Sequence, residues 1–277
     1  MTTAGDAGER GSPTMFAAPD GAGDSFQPFL LSLVIPAFNE RLRLPRSLKG
    51  VRKFLARQRL AAEVIVVDDG STDGTAEVVA ARARRWPALR LIRTEHRGKG
   101  GAVRAGLLAA RGTYSFICDA DFSMPVSEIP KFLPPVLADP EVAIAVREGP
   151  QSHRYGEPYH RHVMGRVFNA LVRLLALPHI QDSQCGFKLI RSDIARRLAH
   201  AQTLDGWGFD VELLYLARAW GYRIDEVGIE WYYAPSSRIA PLRDTLSMTR
   251  DVLRVRRNAR SGRYVAPPGA HAETAAR

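Results

Sequence analysis

Residues 64–70 read Val64-Ile65-Val66-Val67-Asp68-Asp69-Gly70, a short apolar run closed by two carboxylates and a glycine. A run of this kind, bounded by turn residues, is typical of a strand that is buried on both faces of a parallel sheet. Similar runs occupy 31–35, 89–92 and 114–118, with helical patterns between them. The sequence therefore predicts an α/β fold with a Rossmann-like, mostly parallel sheet flanked by helices.

The second half of the chain is less regular. Residues 160–177 and 241–260 have the spacing of basic amphipathic helices, 208–220 that of a more buried helix, and 224–233 that of one or two strands. Basic amphipathic helices commonly lie in a membrane interface, although their apolar faces would equally suit packing on the core of the domain. Both interpretations stay open at this level.

Composition suggests the domain organisation. We expect one domain over 29–262, with a nucleotide-binding half at about 29–125 and an acceptor half at about 126–262. Residues 1–28 and 263–277 are predicted to be a disordered arm and a disordered tail, because they are rich in small and polar residues without periodicity. No run approaches about 18 apolar residues, so no spanning helix is expected, and the start of the chain lacks a secretory signal pattern.

The 277-residue chain carries a formal net charge of +10, with arginine as its main basic residue. Such a charge favours an anionic partner, a class that includes nucleic acids, phosphate-bearing ligands and acidic lipids. The sequence contains no zinc-finger, RNP or helix-turn-helix pattern, so we expect no nucleic-acid partner. The two cysteines, Cys118 and Cys185, lack the spacing of a metal site or a disulfide framework, which predicts a reducing, cytoplasmic location.

Two carboxylates two residues apart, Asp119 and Asp121, follow the apolar run at 114–118. If the chain bends there, both can face one hard cation, and Mg²⁺ or Mn²⁺ usually takes one or two carboxylates together with water and phosphate oxygens. Such an ion would neutralise the charge that develops on a leaving diphosphate. A solvated acidic turn has the same sequence, so this motif alone does not decide between the two.

Two other motifs point to a nucleotide. Asp68 and Asp69 end a predicted strand, where acidic residues can hydrogen-bond a base or a ribose, although a helix-capping turn built on Asp73 also fits. Gly98-Lys99-Gly100-Gly101 precedes a helix and offers a phosphate close backbone approach and one positive charge, or else forms a flexible turn. It matches neither the P-loop nor the dinucleotide pattern, whose third glycine is replaced by Val103, so a P-loop ATPase or an oxidoreductase is disfavoured.

Taken as a set, the motifs are more specific. In order and spacing, residues 34–40, 66–75, 98–100 and 119–121 resemble the family 2 glycosyltransferases of the GT-A fold. The second half resembles a narrower group, the dolichyl- or polyprenyl-phosphate β-glucosyltransferases. Two motifs carry this second resemblance, Gln181-Asp182-Ser183-Gln184-Cys185-Gly186-Phe187-Lys188 and Trp207-Gly208-Phe209-Asp210-Val211-Glu212-Leu213-Leu214.

The resemblance implies a nucleotide-sugar site. Its nucleotide pocket would be lined by residues of the first motif, namely Pro36, Ala37, Asn39 and Glu40. Asp68 would contact uracil or ribose with Asp69 nearby, and Lys99 would help to hold the nucleotide. The motif Asp119-Ala120-Asp121 would serve the metal and the diphosphate. Ser123 stands where a relative has a metal-coordinating amide, and a water molecule would intervene between its hydroxyl and the ion.

For the acceptor, the resemblance implies two phosphate-binding arginines, Arg147 and Arg161, whose guanidinium groups suit bidentate contacts. Solvated surface positions would also explain both residues. Asp210 completes the expected catalytic set with the carboxylate pair. We expect it to orient the sugar or the acceptor, because a phosphate monoester is already largely anionic at neutral pH and needs no strong base. The choice between Asp210 and the neighbouring Glu212 stays open.

The predicted function is an inverting transfer of a sugar, with UDP-glucose as the expected donor, to a polyprenyl or dolichyl phosphate. The enzyme would bind the cytoplasmic face of a membrane peripherally, through its basic amphipathic helices. Two alternatives keep the fold: another sugar nucleotide such as GDP-mannose, or a soluble or polysaccharide acceptor. A third is a non-catalytic basic module for nucleotides or nucleic acid, which leaves the carboxylates without a role. The oligomeric state is not predicted.

Overall fold

A computed structural model describes residues 29–149, 151–233, 241–268 and 270, with the side chains of 160, 161 and 241–246 left out. The predicted arm at 1–28 lies outside the described residues, and so does the predicted tail beyond residue 270.

Within these residues the chain forms nine strands, which are β1 (Leu31–Ala37), β2 (Ala62–Asp69), β3 (Leu89–Thr94), β4 (Tyr114–Ile117), β5 (Val142–Val146), β6 (His153–Tyr155), β7 (Lys188–Arg191), β8 (Ile224–Gly228) and β9 (Glu230–Tyr232). Seven of them make one sheet in the order β3-β2-β1-β4-β7-β5-β8. The other two, β6 and β9, pair in parallel as a small separate sheet.

The large sheet is parallel apart from one strand, so the predicted sheet is confirmed. β7 runs antiparallel to both of its neighbours, β4 and β5. The sequence does not predict this strand, because Lys188 interrupts its apolar pattern. The structure nevertheless buries Lys188 completely, which requires a partner for its charge.

The described helices are α1 (Leu44–Gln58), α2 (Thr75–Ala83), α3 (Lys99–Ala109), α4 (Tyr159–Leu175), α5 (Ser192–Ala201), α6 (Phe209–Ala219) and α7 (Pro241–Arg260), together with a 3-10 helix over Val126–Phe132. In α1 the buried residues are three or four apart, at Leu44, Leu48, Val51 and Leu55. This spacing places them on one face of the helix, which packs against the sheet.

Both faces of the sheet are covered. Side chains alternate along a strand, so Leu33 and Ile35 of β1 join the cluster that contains α1, whereas Val34 joins a second cluster with Val103 and Leu107 of α3. Each fully buried side chain of this kind contributes about 1.5–3 kcal/mol to folding. The polar residues at the ends of the strands are therefore held by a rigid support.

α4 and α7 pack against each other and against the second cluster. Phe168 of α4 and Val252 of α7 are buried, whereas Val167 and Leu174 of α4 are 66% and 80% exposed. The two predicted amphipathic helices are present, and α4 presents apolar side chains both to the core and to its surface. No helix among the described residues has both the length and the apolar character needed to cross a bilayer.

The tail predicted to begin at residue 263 stays a prediction, and its first residues contact the domain. The hydroxyl of Tyr264 donates a hydrogen bond of 2.6 Å to Oε1 of Glu212, and Ala266 packs against the second cluster. A single aromatic residue among small ones thus reaches a buried partner, which composition does not indicate.

Candidate active site

A cavity of about 540 Å³ lies where β1, β2 and β4 end. Ligands of open α/β sheets bind at this edge, outside the carboxyl ends of the strands. Eight of the residues singled out in the sequence line the cavity, and these are Pro36, Ala37, Glu40, Asp69, Lys99, Asp119, Ala120 and Asp121. The structure therefore brings together four motifs that are far apart in the chain.

The chain bends after β4 and turns both carboxylates of the pair to the cavity. The backbone N–H of Phe122 donates to the carbonyl of Asp119, and Phe122 has a φ of 48°. Oδ1 of Asp121 accepts the N–H of Ser123 at 3.0 Å, and the hydroxyl of Ser47 in α1 donates to the carbonyl of Ala120 at 2.8 Å. The bend is thus tied both to itself and to α1.

Lys99, the first residue of α3, makes an ion pair of 2.6 Å with Oδ1 of Asp119. Its ammonium also lies 5.3 Å from the ring centre of Trp207. Burial by itself lowers the pKa of Lys99, but the charges of Asp119 and Asp210 more than offset this and raise the pKa. Burial raises the pKa of Asp119, and the charge and hydrogen bond of Lys99 then bring this pKa below its usual range.

Glycines at the start of α3 allow a close approach to the loop at 204–206. A Cβ at Gly98, where φ is +114°, would stand 2.6 Å from the carbonyl oxygen of Asp205, and one at Gly100 would stand 2.6 Å from that of Leu204. The N–H of Gly101 donates to the Asp205 carbonyl at 3.1 Å. These glycines therefore fix the turn against a loop of the second half, which argues against a merely flexible turn.

Of the two adjacent carboxylates at the end of β2, only Asp69 lines the cavity. Its Oδ1 accepts the N–H of Arg97 and its Oδ2 that of Gly98, both at 2.9 Å, and His96 Nδ1 lies 2.8 Å from Oδ2. Asp69 therefore shapes the turn that leads into α3.

Asp68 is only 1% exposed and is absent from the cavity lining, because consecutive side chains of a strand point to opposite faces. Its carboxylate has no hydrogen-bond partner among the described residues, and Arg93 Nε lies 4.0 Å away. The expected contact of Asp68 with uracil or ribose thus finds no support in its position.

Asn39 and Ser123 are also absent from the lining. The N–H of Asn39 donates to Ser71 Oγ and its Oδ1 accepts the N–H of Thr72, so Asn39 joins the loops after β1 and β2. The carbonyl of Ser123 accepts the N–H of Tyr232, at the end of β9. Both residues therefore hold the rim of the site in place.

Phe38 and His96 line the cavity, and the sequence analysis misses both. Their rings stack with centres 4.1 Å apart and planes 19° from parallel. Phe38 lies inside the first motif, and His96 follows β3, so their positions at strand ends would have been a signal. A stacked aromatic pair offers a flat surface of the kind on which nucleobases stack.

Arg147 follows β5 and is bound to Asp182 through two hydrogen bonds of 2.7 and 2.8 Å. Its guanidinium lies 5.7 Å from the ring centre of Trp231. The side chain is 20% exposed and absent from the cavity lining, although its charge contributes to lowering the pKa of Asp119. Arg161 belongs to α4, but its side chain is not among those described.

The motif at 181–188 packs against Asp119 through its glycine, Gly186. A Cβ at Gly186 would overlap with the carboxylate of Asp119, so any side chain at this position would displace that carboxylate. Two residues on, the ammonium of Lys188 donates to Oδ1 of Asp210 at 2.5 Å and to the carbonyl of Cys185 at 2.6 Å. Asp210 is 3% exposed and absent from the cavity lining. Its influence on the site is therefore electrostatic, because its charge helps to raise the pKa of Lys99.

Glu212 has a structural position. Its carboxylate is fully buried and accepts hydrogen bonds from the Thr203 N–H and hydroxyl, the Leu204 N–H and the Tyr264 hydroxyl. Burial and the hydrogen bond to Glu212 raise the pKa of Tyr264 to about 12. Between Asp210 and Glu212, only Asp210 acts electrostatically on Lys99, and Glu212 anchors the loop that leads to Trp207.

The donor set fits a hard divalent cation. No group of three or more His, Cys, Asp or Glu side chains suited to a metal occurs among the described residues. Of the other carboxylates that line the cavity, Glu40 is paired with Arg43 and Asp69 accepts two backbone N–H groups. Asp119 and Asp121 would therefore hold the ion, and Mg²⁺ or Mn²⁺ would complete its shell with water and phosphate oxygens. The diphosphate of a nucleotide is the natural source of such oxygens.

Comparisons with known proteins agree with this geometry. The model for "Glycosyl transferase family 2" matches residues 32–199. A "Dolichyl-phosphate beta-glucosyltransferase" of Drosophila melanogaster is 36% identical over 242 residues, which are 81% of this chain and 74% of the relative. The protein of the same name from Homo sapiens is 33% identical, over 82% of this chain and 74% of its own.

Solved structures show the same fold. Glucosyl-3-phosphoglycerate synthase of Mycobacterium tuberculosis, solved with Mn²⁺, UDP-glucose and phosphoglyceric acid, has a TM-score of 0.61 and 19% identity over 87% of this chain and 82% of its own. Mannosyl-3-phosphoglycerate synthase of Rubrobacter xylanophilus has a TM-score of 0.58 and 19% identity, over 87% and 78%. This chain is thus an inverting glycosyltransferase of the GT-A fold, and it belongs to glycosyl transferase family 2.

Proposed function

We propose that the protein transfers glucose from UDP-glucose to a polyprenyl phosphate such as dolichyl phosphate. The observation that carries the proposal is the cavity that combines Asp119, Asp121 and Lys99 with the aromatic pair of Phe38 and His96. Its volume of about 540 Å³ is within the usual range for a small-molecule site. The names of the relatives at 33% and 36% identity support the choice of sugar and acceptor.

The chemistry follows from charge. A divalent cation held by Asp119 and Asp121, Mg²⁺ or Mn²⁺, would neutralise the diphosphate as it leaves. Lys99 adds a second positive charge at the N-terminus of α3, where backbone N–H groups also favour an anion. Attack by the acceptor phosphate on the anomeric carbon in one displacement inverts the configuration there. The acceptor needs no strong base, because it is already largely anionic.

On the acceptor side we assign Arg147 and Arg161 to the lipid phosphate. Arg147 supports this assignment through its fixed guanidinium, which Asp182 and Trp231 hold near the end of β5. Asp210 is assigned a supporting role, in which its buried charge keeps Lys99 and thereby Asp119 in place. This replaces direct contact with the acceptor, since Asp210 does not line the cavity.

Peripheral association with a membrane is part of the proposal. α4 exposes Tyr159, Val163, Val167 and Leu174, and its exposed Arg166 and Arg173 lie among them. Apolar side chains flanked by arginines suit the interface of an anionic bilayer, where each basic residue adds about 1 kcal/mol of attraction. We place this membrane face on the cytoplasmic side, where the nucleotide sugar would be supplied.

The test is transfer of labelled glucose from UDP-glucose to a polyprenyl phosphate in the presence of Mg²⁺ or Mn²⁺. We expect label in the organic extract, and none with the Asp119→Asn, Asp121→Asn double variant. GDP-mannose and a soluble acceptor such as phosphoglycerate are run in parallel. Label that stays in the aqueous phase, or an organic product formed only from another sugar nucleotide, would contradict the proposal. Flotation with anionic vesicles at low salt tests the membrane face separately.

A further inference from the structure

The ammonium of Lys99 is paired with Asp119, one of the two carboxylates that would hold a metal ion in the cavity. The Nζ–Oδ1 distance to Asp119 is 2.6 Å, and the Lys99 side chain is 15% exposed. We propose that Lys99 acts as a resident cation that competes with the divalent ion for Asp119, so that the ion binds tightly only when a nucleoside diphosphate draws Lys99 away. This inference rests on the proposed nucleotide-sugar site and assigns to it a mode of regulation.

The first argument is distance. Mg²⁺ binds oxygen at about 2.0–2.1 Å, and Mn²⁺ is bound by the same kind of ligand. An ion bound to the same oxygen, Oδ1 of Asp119, would therefore lie within about 4–5 Å of the ammonium, which is 2.6 Å from that oxygen. The other oxygen, Oδ2, lies against Gly186. Two cations this close repel each other strongly in a partly buried cavity, where water screens them poorly. Lys99 and the ion thus compete for Oδ1 of Asp119 unless an anion is added.

The second argument concerns what holds Lys99 in place. As the first residue of α3, it lies at the positive end of the helix dipole, which is an unfavourable position for a cation. Asp119 supplies the compensating charge, and the rings of Trp207 and Phe209, 5.3 and 5.7 Å from Nζ, add cation–π attraction. The same helix end is a ready site for phosphate. A diphosphate therefore offers Lys99 an alternative anion and frees the carboxylate.

The third argument is the small donor set. No third metal-type side chain joins the two aspartates among the described residues, and Oδ1 of Asp121 already accepts the N–H of Ser123. With Asp119 paired to Lys99, a bare ion has only Asp121 as an unshared charged ligand. The diphosphate both releases Asp119 and adds its own oxygens, so ion and nucleotide are expected to bind cooperatively.

The test measures Mn²⁺ binding to the purified full chain by loss of the electron paramagnetic resonance signal of the free ion, with and without UDP. We expect UDP to tighten Mn²⁺ binding to the wild type by about 10-fold or more, and Mn²⁺ to tighten UDP binding by the same factor. Lys99→Met should bind Mn²⁺ alone at least about 10-fold more tightly than the wild type, with a smaller effect of UDP. This outcome is distinctive, because loss of an ordinary ligand-binding lysine would not improve metal binding.

Lys131→Met is the matched control, since Lys131 makes an ion pair of the same length, 2.6 Å, with Glu128 and does not line the cavity. It should bind Mn²⁺ like the wild type, and Asp119→Asn should bind it far more weakly. Equal or weaker Mn²⁺ binding by Lys99→Met overturns the inference. If that variant does not fold, wild-type Mn²⁺ affinity that is indifferent to UDP overturns it as well.

The readout includes neither a sugar nor an acceptor, which separates this inference from the proposed function. A protein that fails to glucosylate lipid, yet binds Mn²⁺ more tightly after Lys99→Met, would keep the competition by Lys99 and lose the acceptor. A protein that glucosylates lipid, with Mn²⁺ affinities unchanged by UDP and by Lys99→Met, would keep the function and lose the competition.

Discussion

Two aspartate–lysine pairs of nearly equal length have different surroundings in this protein. The outer pair, Asp119 with Lys99, faces the cavity at 2.6 Å, and its side chains are 30% and 15% exposed. The inner pair, Asp210 with Lys188, has a distance of 2.5 Å, and its side chains are 5% and 0% exposed. Equal geometry in unequal surroundings implies unequal roles, because the cost of separating two charges rises as water is excluded.

The outer pair can exchange partners, since a metal ion and a diphosphate are able to reach it from the cavity. The inner pair cannot, because removal of either member leaves the other charged group buried and unpaired. The inner charges nevertheless act on the outer ones: Asp210 helps to raise the pKa of Lys99, and Lys188 helps to lower that of Asp119. The inner pair thus forms a fixed support for an exchangeable one.

The largest expected effect concerns stability. Lys188→Met should lower the free energy of unfolding by about 3–5 kcal/mol, because Asp210 keeps its charge without a partner. The double variant Lys188→Met, Asp210→Asn should regain most of this loss, since no buried charge remains. Chemical denaturation of the two variants and the wild type measures both values. Equal stability of the single and double variants would show that the two residues are not coupled.

Next in size is the outer pair. Asp119→Asn should lower kcat by on the order of 100- to 1000-fold, as for loss of a group that stabilises charge in the transition state. The fold should persist, since Asp119 faces the cavity and its partner Lys99 can reach water. Steady-state transfer assays measure the loss in kcat, and thermal unfolding measures whether the fold persists. Near-normal kcat at saturating metal would remove Asp119 from the catalytic set.

A third pair, Arg147 with Asp182, is intermediate in burial, with side chains 20% and 4% exposed. Arg147→Lys keeps the charge and loses the two-pronged geometry, so we expect KM for the polyprenyl phosphate to rise about 10-fold. KM for UDP-glucose should stay within about twofold of the wild-type value, because the residue is absent from the lining of the cavity. A rise in KM for UDP-glucose alone would reassign Arg147 to the donor.

The smallest effect concerns the anchor at Glu212. Tyr264→Phe removes one hydrogen bond to the Glu212 carboxylate and should cost about 1 kcal/mol of stability, with kcat unchanged.

In the wild type the folded pKa of Tyr264 is about 12, above the ordinary value of 10.0. Its contribution is therefore complete below about pH 10 and is lost as pH rises towards 12. The difference in thermal stability between the two proteins should shrink over that interval.

The comparison of the pairs also shows what the sequence could reveal. The strands of the first half and the residues at their ends are local patterns, so the cavity with Asp119, Lys99 and Asp69 follows from them. The inner pair is not local: a lysine inside a strand contradicts its apolar pattern unless Asp210, 22 residues later, is known to meet it. The local sequence pattern therefore predicts the site of the outer pair, but it does not predict the buried inner pair that supports this site.

Asp68 shows a different limit. The sequence places it beside Asp69, and the alternation of a strand means that only one of them can face a given side. Ile65 and Val67 of β2 pack in one cluster with Ala102 of α3, so alternation puts Asp69 on the face that α3 covers and Asp68 on the other. The position of α3 on the sheet, which the local pattern does not give, therefore decides which carboxylate faces the cavity.

The contact between Gly186 and Asp119 has a consequence for how such enzymes diversify. One half of the chain carries the carboxylates, and the other half contributes the bare backbone against which one of them rests. A chimera that joins this donor half to the acceptor half of a relative would need glycine at that point to leave the Asp119 carboxylate where it is, however well its lipid-binding surface folds. Exchange of acceptor specificity by recombination therefore favours partners that keep a glycine there.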